Sequence, residues 1–194
     1  MAQALHLGPP GTLRAQTYST LIGLLAATGL RISEALGLRF QDITADGLVI
    51  RHAKFQKSRL VPLHPTTQVA LERYLVERRR IAADEDYLFL SRQLGPLSLH
   101  AVYPTFHKLL SACGLPRQTG QRRPRPTDFR HTFASNALLA CPHARDHIGS
   151  HMLALMTYLG HAAPSSTYWY LESSPRLMED IASVCERLFE EKTP

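Results

Sequence analysis

A histidine and a tyrosine near the C-terminal end of this 194-residue chain are the side chains best placed for covalent chemistry. His161 follows Gly160 at the end of a helical run (Leu153, Leu155, Met156, Leu159), and Pro164 opens a further helix with Tyr168, Trp169 and Tyr170 in its first turns. A phenol can attack phosphorus if nearby cations lower its proton affinity from an ordinary pKa of about 10. Tyr168 and Tyr170 lie roughly 200° apart around a helix, so only one of them can face a given pocket. Taken alone, the stretch also reads as a helix–turn–helix elbow with aromatic packing. It gains chemical meaning only if the chain supplies cations that hold a phosphate.

Two lone arginines stand in apolar frames. Arg31 lies at the joint between a helix over 17–28, capped by Gly29, and a second helix that starts Leu30-Arg-Ile-Ser-Glu34. It is either a solvated end residue or a cation held by Glu34 three positions later. Arg130 sits in a helix from Thr127 to Leu139, with Thr127 or Asp128 as cap and Phe129, Phe133 and Leu138 for the core. Short strands over 47–52 and 58–63 form a hairpin whose tip carries Lys54, Lys57 and Arg59, a solvated loop or a phosphate contact. Pro65 opens a helix that ends in Arg78-Arg79-Arg80, read as a solvated last turn favoured by the helix dipole. Tyr87–Leu90 is a brief buried extended piece, and 99–113 is an amphipathic helix ended by Gly114. Residues 116–126 form a basic loop with Arg117, Arg122, Arg123 and Arg125. After Pro175 comes an amphipathic helix over 176–190 whose apolar face fits packing in cis or a neighbouring protomer equally.

Composition narrows the partner. Lys and Arg number 22 against 16 Asp and Glu, a net charge of +6, and the sequence pI is near 9.5; such a balance favours a polyanion, nucleic acid first. No apolar run approaches the roughly 20 residues of a membrane span. Three widely spaced cysteines argue against a disulfide framework and for a reducing cytosol. Residues 1–13, with Gly8-Pro9-Pro10-Gly11, read as an irregular lead-in or linker remnant, and 14–194 as one domain.

In order along the chain, Ala27-Thr-Gly-Leu-Arg31-Ile-Ser-Glu34, Lys54 ahead of Ser58-Arg-Leu-Val-Pro-Leu63, Asp128-Phe-Arg130-His-Thr-Phe-Ala134, Leu159-Gly-His161 and Thr167-Tyr-Trp-Tyr170-Leu resemble the catalytic domain of the tyrosine recombinases, the phage integrase family. The resemblance covers about residues 17 to 190. It implies an α+β fold, mainly α-helical with a small three-stranded antiparallel β-sheet or hairpin. It makes Arg31 and Arg130 the arginines that hold the scissile phosphate, His161 a donor to a phosphate oxygen, and Tyr170 the nucleophile. Tyr170 lies nine residues after His161, the family's spacing, which leaves Tyr168 structural. Glu34 would orient the arginines, and Lys54, with Lys57 as runner-up, would protonate the leaving 5′ hydroxyl. Lys57, Arg59, Arg122, Arg123 and Arg125 become contacts to double-stranded DNA. A homotetramer on DNA and a bacterial cytoplasmic location are expected. In-line displacement at a phosphodiester independently asks for arginine forks around the non-bridging oxygens, and a 3′-phosphotyrosyl bond conserves the energy for religation, so neither cofactor nor metal is expected.

The chain departs from the family twice. Thr127 stands where a histidine usually precedes the second arginine by three residues; threonine can donate a hydrogen bond but cannot exchange a proton near neutral pH, so reduced cleavage is expected. His131, four residues on, points to another surface and does not replace it. The length leaves no room for the helical core-binding domain that commonly precedes the catalytic one. Alternatives are a catalytically impaired DNA-binding remnant of a recombinase and a type IB topoisomerase-like activity. Cys141, His143, His147 and His151 could bind zinc from one helix face, although Gly149 is expected to interrupt that helix.

Overall fold

A computed structural model of the chain describes residues 2–8, 12–51, 58–115, 119–120, 122–140 and 145–160, with backbone alone for 145–149. The chain divides into two compact units, Met1–Phe133 and Ala134–Pro194.

The first unit is built around α1 (Arg14–Thr28), whose Tyr18, Leu21, Leu24 and Leu25 are buried. Helix α1 ends at Gly29, which adopts φ 61° and donates its N–H to Leu25 O, the left-handed cap expected from sequence. Helix α2 (Ile32–Leu36) follows after two residues. Strands β1 (Ile43–Thr44), β2 (Gly47–Ile50) and β3 (Arg59–Val61) then form a three-stranded antiparallel sheet in the order β1-β2-β3. Leu48 pairs with Val61 and Ile50 with Arg59. The inward face carries Leu48, Ile50 and Val61, all nearly inaccessible. Both strands of the expected hairpin are present, each shorter than expected, and β1 adds the third.

Helix α3 (Pro65–Ile81) packs on α1 through polar as well as apolar contacts. The Tyr74 hydroxyl donates to Leu88 O at 2.8 Å and lies 3.2 Å from Thr17 Oγ1, and its ring stacks on Phe89. Burial pushes its pKa up to about 12, against smaller opposing effects of Thr17 and Arg78. The Arg78-Arg79-Arg80 turn is not uniformly solvated. Arg78 is wholly buried and donates to the carbonyls of Ala82, Glu85 and Tyr87, beneath the Phe40 ring. These bonds hold the 82–87 turn and the extended piece Tyr87–Leu90 against α3. Helix α4 (Leu99–Ala112) is capped by Ser98 and tied to α1 by Tyr18 Oη donating to Ala101 O. Residues 2–6 form a 3₁₀ turn with Ala4 buried, and Leu7 beyond it is also buried, so the lead-in expected to be irregular is packed.

Helix α5 (Asp128–Leu139) begins in the first unit; there Phe129 meets Phe106 edge-on. In the second unit α6 (Arg145–Leu159) buries Met152, Leu155 and Leu159, and His151 Nε2 donates to Ala137 O at 2.8 Å. Gly149 lies inside α6 and does not interrupt it. Gly160 ends the helix with φ 68°.

Candidate active site

Three of the expected site residues, Arg31, Glu34 and Arg59, meet between α2 and β3, and a fourth, Arg130 at the start of α5, reaches the turn before α2. Arg31 caps α2, with its side chain 30% exposed, and its backbone N–H donates to Glu34 Oε2 at 2.9 Å. Its Nη1 donates to Glu34 Oε1 at 2.8 Å. The carboxylate thus satisfies an end-of-helix donor and fixes the guanidinium in one stroke. The solvated end residue allowed by the sequence is not what forms.

Arg130 is 7% exposed, and its Nη1 donates to Gly29 O at 3.0 Å, two residues before Arg31. The contact requires the Gly29 turn to approach α5 closely. A Cβ built on Gly29 would lie 2.6 Å from the Phe133 ring, and φ 61° disfavours any other residue. One glycine therefore both ends α1 and lets the two arginines share a neighbourhood. A buried guanidinium held by a backbone carbonyl and a second guanidinium set by a carboxylate are groups of the kind that can stabilise an oxyanion.

Arg59, expected among the DNA contacts at the hairpin tip, is turned inward. It is the first residue of β3, its side chain is 10% exposed, and its Nη1 and Nη2 donate to Glu34 Oε1 and Oε2 at 3.0 and 2.8 Å. The alternation of β3 gives the reason: Arg59 shares a face with Val61, 1% exposed, whereas Leu60 between them is 44% exposed. Burial alone would raise the Glu34 pKa, but the hydrogen bonds and charges of Arg59 and Arg31 outweigh it and hold the carboxyl at about 2. The carboxylate is ionised at any working pH.

Thr127 directly precedes α5, and its Oγ1 is buried with no hydrogen-bond partner among the described residues. Arg125 is half-buried and lies 3.7 Å from Asp128, and Asp128 Oδ2 accepts from the Arg125 N–H. Arg122 is exposed and Arg123 half-buried, in irregular backbone as the basic loop composition implies. Lys54, Lys57, His161 and Tyr170 lie outside the described residues, as do Cys141 and His143. Sequence reasoning also missed the carboxylate of Asp42, 4% exposed, which directly precedes β1 and accepts from the Arg39 N–H and from Arg51 Nε.

Comparison with known proteins gives the arrangement a family. The integrase/recombinase-type protein y4rB of Sinorhizobium fredii is 40% identical over 186 residues, covering 93% of this chain and 59% of that protein. The tyrosine recombinase XerC of a Methylobacterium species is 36% identical over 163 residues, covering 82% of this chain and 47% of that protein. The chain therefore spans about half the length of these relatives. Among solved structures, the XerH site-specific recombinase in a post-cleavage complex with its difH substrate superposes with a TM-score of 0.70 at 23% identity, over 94% of this chain and 50% of that one. The Tn1549 transposon integrase bound to transposon end DNA gives 0.68 at 19% identity, over 96% of this chain and 63% of that one. These two carry the fold, a tyrosine recombinase catalytic domain with a small three-stranded sheet. Since the model of the phage integrase family also matches residues 10–176, spanning both arginines and their glutamate, the chain belongs to the phage integrase family.

Proposed function

We propose that this chain is the catalytic domain of a site-specific DNA recombinase that cleaves and rejoins strands through a 3′-phosphotyrosyl bond at Tyr170. The observation that carries it is the placement of Arg130 on the Gly29 carbonyl, two residues from Arg31, with Arg31 fixed by Glu34. Two guanidinium forks near one another suit a phosphodiester whose non-bridging oxygens gain charge during in-line attack. His161 would complete the oxyanion contacts, and Lys54, or Lys57 in its place, would deliver a proton to the departing 5′ oxygen. The buried Thr127 hydroxyl, without a hydrogen-bond partner among the described residues, supports a donor role toward a phosphate oxygen, since buried hydroxyls are rarely left unsatisfied. Lys57, Arg122, Arg123 and Arg125 are the candidate duplex contacts, and assembly as a homotetramer on DNA through the segment 176–190 is part of the same proposal. Action in the bacterial cytoplasm is part of the same proposal, supported by bacterial relatives bearing recombinase names. Specificity for a particular DNA site would come from groove contacts.

The test is incubation with nicked and supercoiled duplex in EDTA, followed by denaturation and a search for covalent adduct, beside Tyr170→Phe and Thr127→His. The expected result is an adduct that vanishes in Tyr170→Phe and forms faster in Thr127→His. The second reading, a DNA-binding remnant, is favoured by one residue, Thr127. It would be upheld by salt-sensitive binding without adduct in the parent chain and with adduct restored in Thr127→His. Strand exchange between two sites separates a recombinase from a topoisomerase-like activity.

A further inference from the structure

The Glu34 carboxylate is shared between two arginines, and only one of them belongs to the phosphate-holding pair. Its two oxygens receive four donors: the Arg31 N–H and Arg31 Nη1 from α2, and Arg59 Nη1 and Nη2 from β3. Those four bonds occupy the lone-pair positions a carboxylate offers, so Glu34 has no freedom to swing. The contact from Arg59 is a bidentate fork, the more directional of the two. Charge points the same way. A lone Arg31–Glu34 pair would be neutral and would do little for the negative charge that grows in the transition state, whereas Arg31, Glu34 and Arg59 together keep a net positive charge there.

We propose that Arg59 is a positioning residue of the cleavage reaction, acting through Glu34 to fix the Arg31 guanidinium and to keep its charge available, and not a direct contact to the DNA backbone. If the chain is a recombinase as proposed above, Arg59 sets the rate of strand cleavage more than the affinity for duplex.

The experiment compares the parent chain with Arg59→Met, Arg59→Lys, Glu34→Gln and the Glu34→Gln/Arg59→Met double variant, each checked for folding by its thermal transition. Equilibrium binding to duplex across salt concentrations should leave the slope unchanged in Arg59→Met, because a lost phosphate contact would lower it by about 0.9. Single-turnover cleavage of a nicked duplex should fall by about tenfold or more, the scale expected of a misplaced donor. Arg59→Lys should recover part of that loss, since it restores the charge without the fork. With Glu34→Gln already present, removing Arg59 should cost less than about twofold further. An arm free of cleavage reads the Arg31 Nε–H by NMR: its exchange with water should quicken by about tenfold or more in Arg59→Met. A salt slope reduced by about one unit overturns the proposal by making Arg59 a phosphate contact. Additive losses in the double variant, or unchanged Arg31 exchange, overturn it as well. A parent chain that forms no Tyr170-dependent adduct counts against the recombinase proposal alone, because the salt slope and the Arg31 exchange still decide the place of Arg59. Should Arg59→Met fail to fold, Arg59→Lys carries the same comparisons.

Discussion

Glu34 shows how one side chain couples stability to chemistry. Its carboxyl is held at about 2 against an ordinary 4.5, because donors from Arg59 and Arg31 outweigh the cost of burial. A folded-state pKa below the unfolded one stabilises the protein above about pH 4.5, and that stabilisation is lost as pH falls toward 2. The shift corresponds to about 3 kcal/mol at full strength. Denaturant unfolding at pH 5 and pH 3 should therefore show a steeper loss in the parent chain than in Glu34→Gln, by about 1 to 2 kcal/mol. Equal losses would mean that the carboxylate is not gripped by its arginines. Arg31 and Glu34 are legible in the sequence because they sit three residues apart on one short helix. The Arg59 contact joins positions 25 residues apart and needs the strand to place it.

Helix α3 and the turn after it show what an element can hide. Three consecutive arginines at a helix end read as a solvated cluster, and Arg79 and Arg80 are indeed exposed, with Arg80 paired to Glu77. Arg78 differs because the chain turns back over it, so its guanidinium is the common partner of three backbone carbonyls. Its burial lowers its pKa, yet the carbonyl dipoles and the Phe40 ring keep the cation solvated in place of water. Arg78→Met should cost about 2 to 4 kcal/mol by leaving those carbonyls unsatisfied, whereas Arg79→Met should stay within about 0.5 kcal/mol. Urea midpoints for the two variants check the contrast. The Gly29 cap belongs to the same scale. Its conformation was predictable from its place after the last apolar turn, but its tight fit against Phe133 was not.

At the scale of the whole chain, net charge and family make DNA the expected partner, and the size of the electrostatic contribution is measurable. Duplex affinity should fall steeply with salt. Replacing exposed Arg122 and half-buried Arg123 together by Gln should flatten the plot of log K against log salt by about two units if each neutralises one phosphate. An unchanged slope would remove the 122–125 loop from the interface. The contrast with Arg59, where no change of slope is expected, makes one titration series informative about both.

The sequence by itself determined α1 to α6, the hairpin, the glycine caps at 29 and 160 and the order of the family's boxes. These depend on periodicity, capping and spacing, which act between residues close in the chain. It also raised the expectation of strand-transfer chemistry, because two arginines, an imidazole and a phenol stand in that order along the chain. The tertiary structure decided which cations face inward. Arg78 and Arg59 look like their solvated neighbours in composition, and only the return of the chain over α3 and the pairing of β3 with β2 take them out of water and give them partners. Burial of a charge depends on what arrives from elsewhere in the chain to replace its hydration, and local sequence does not carry that information.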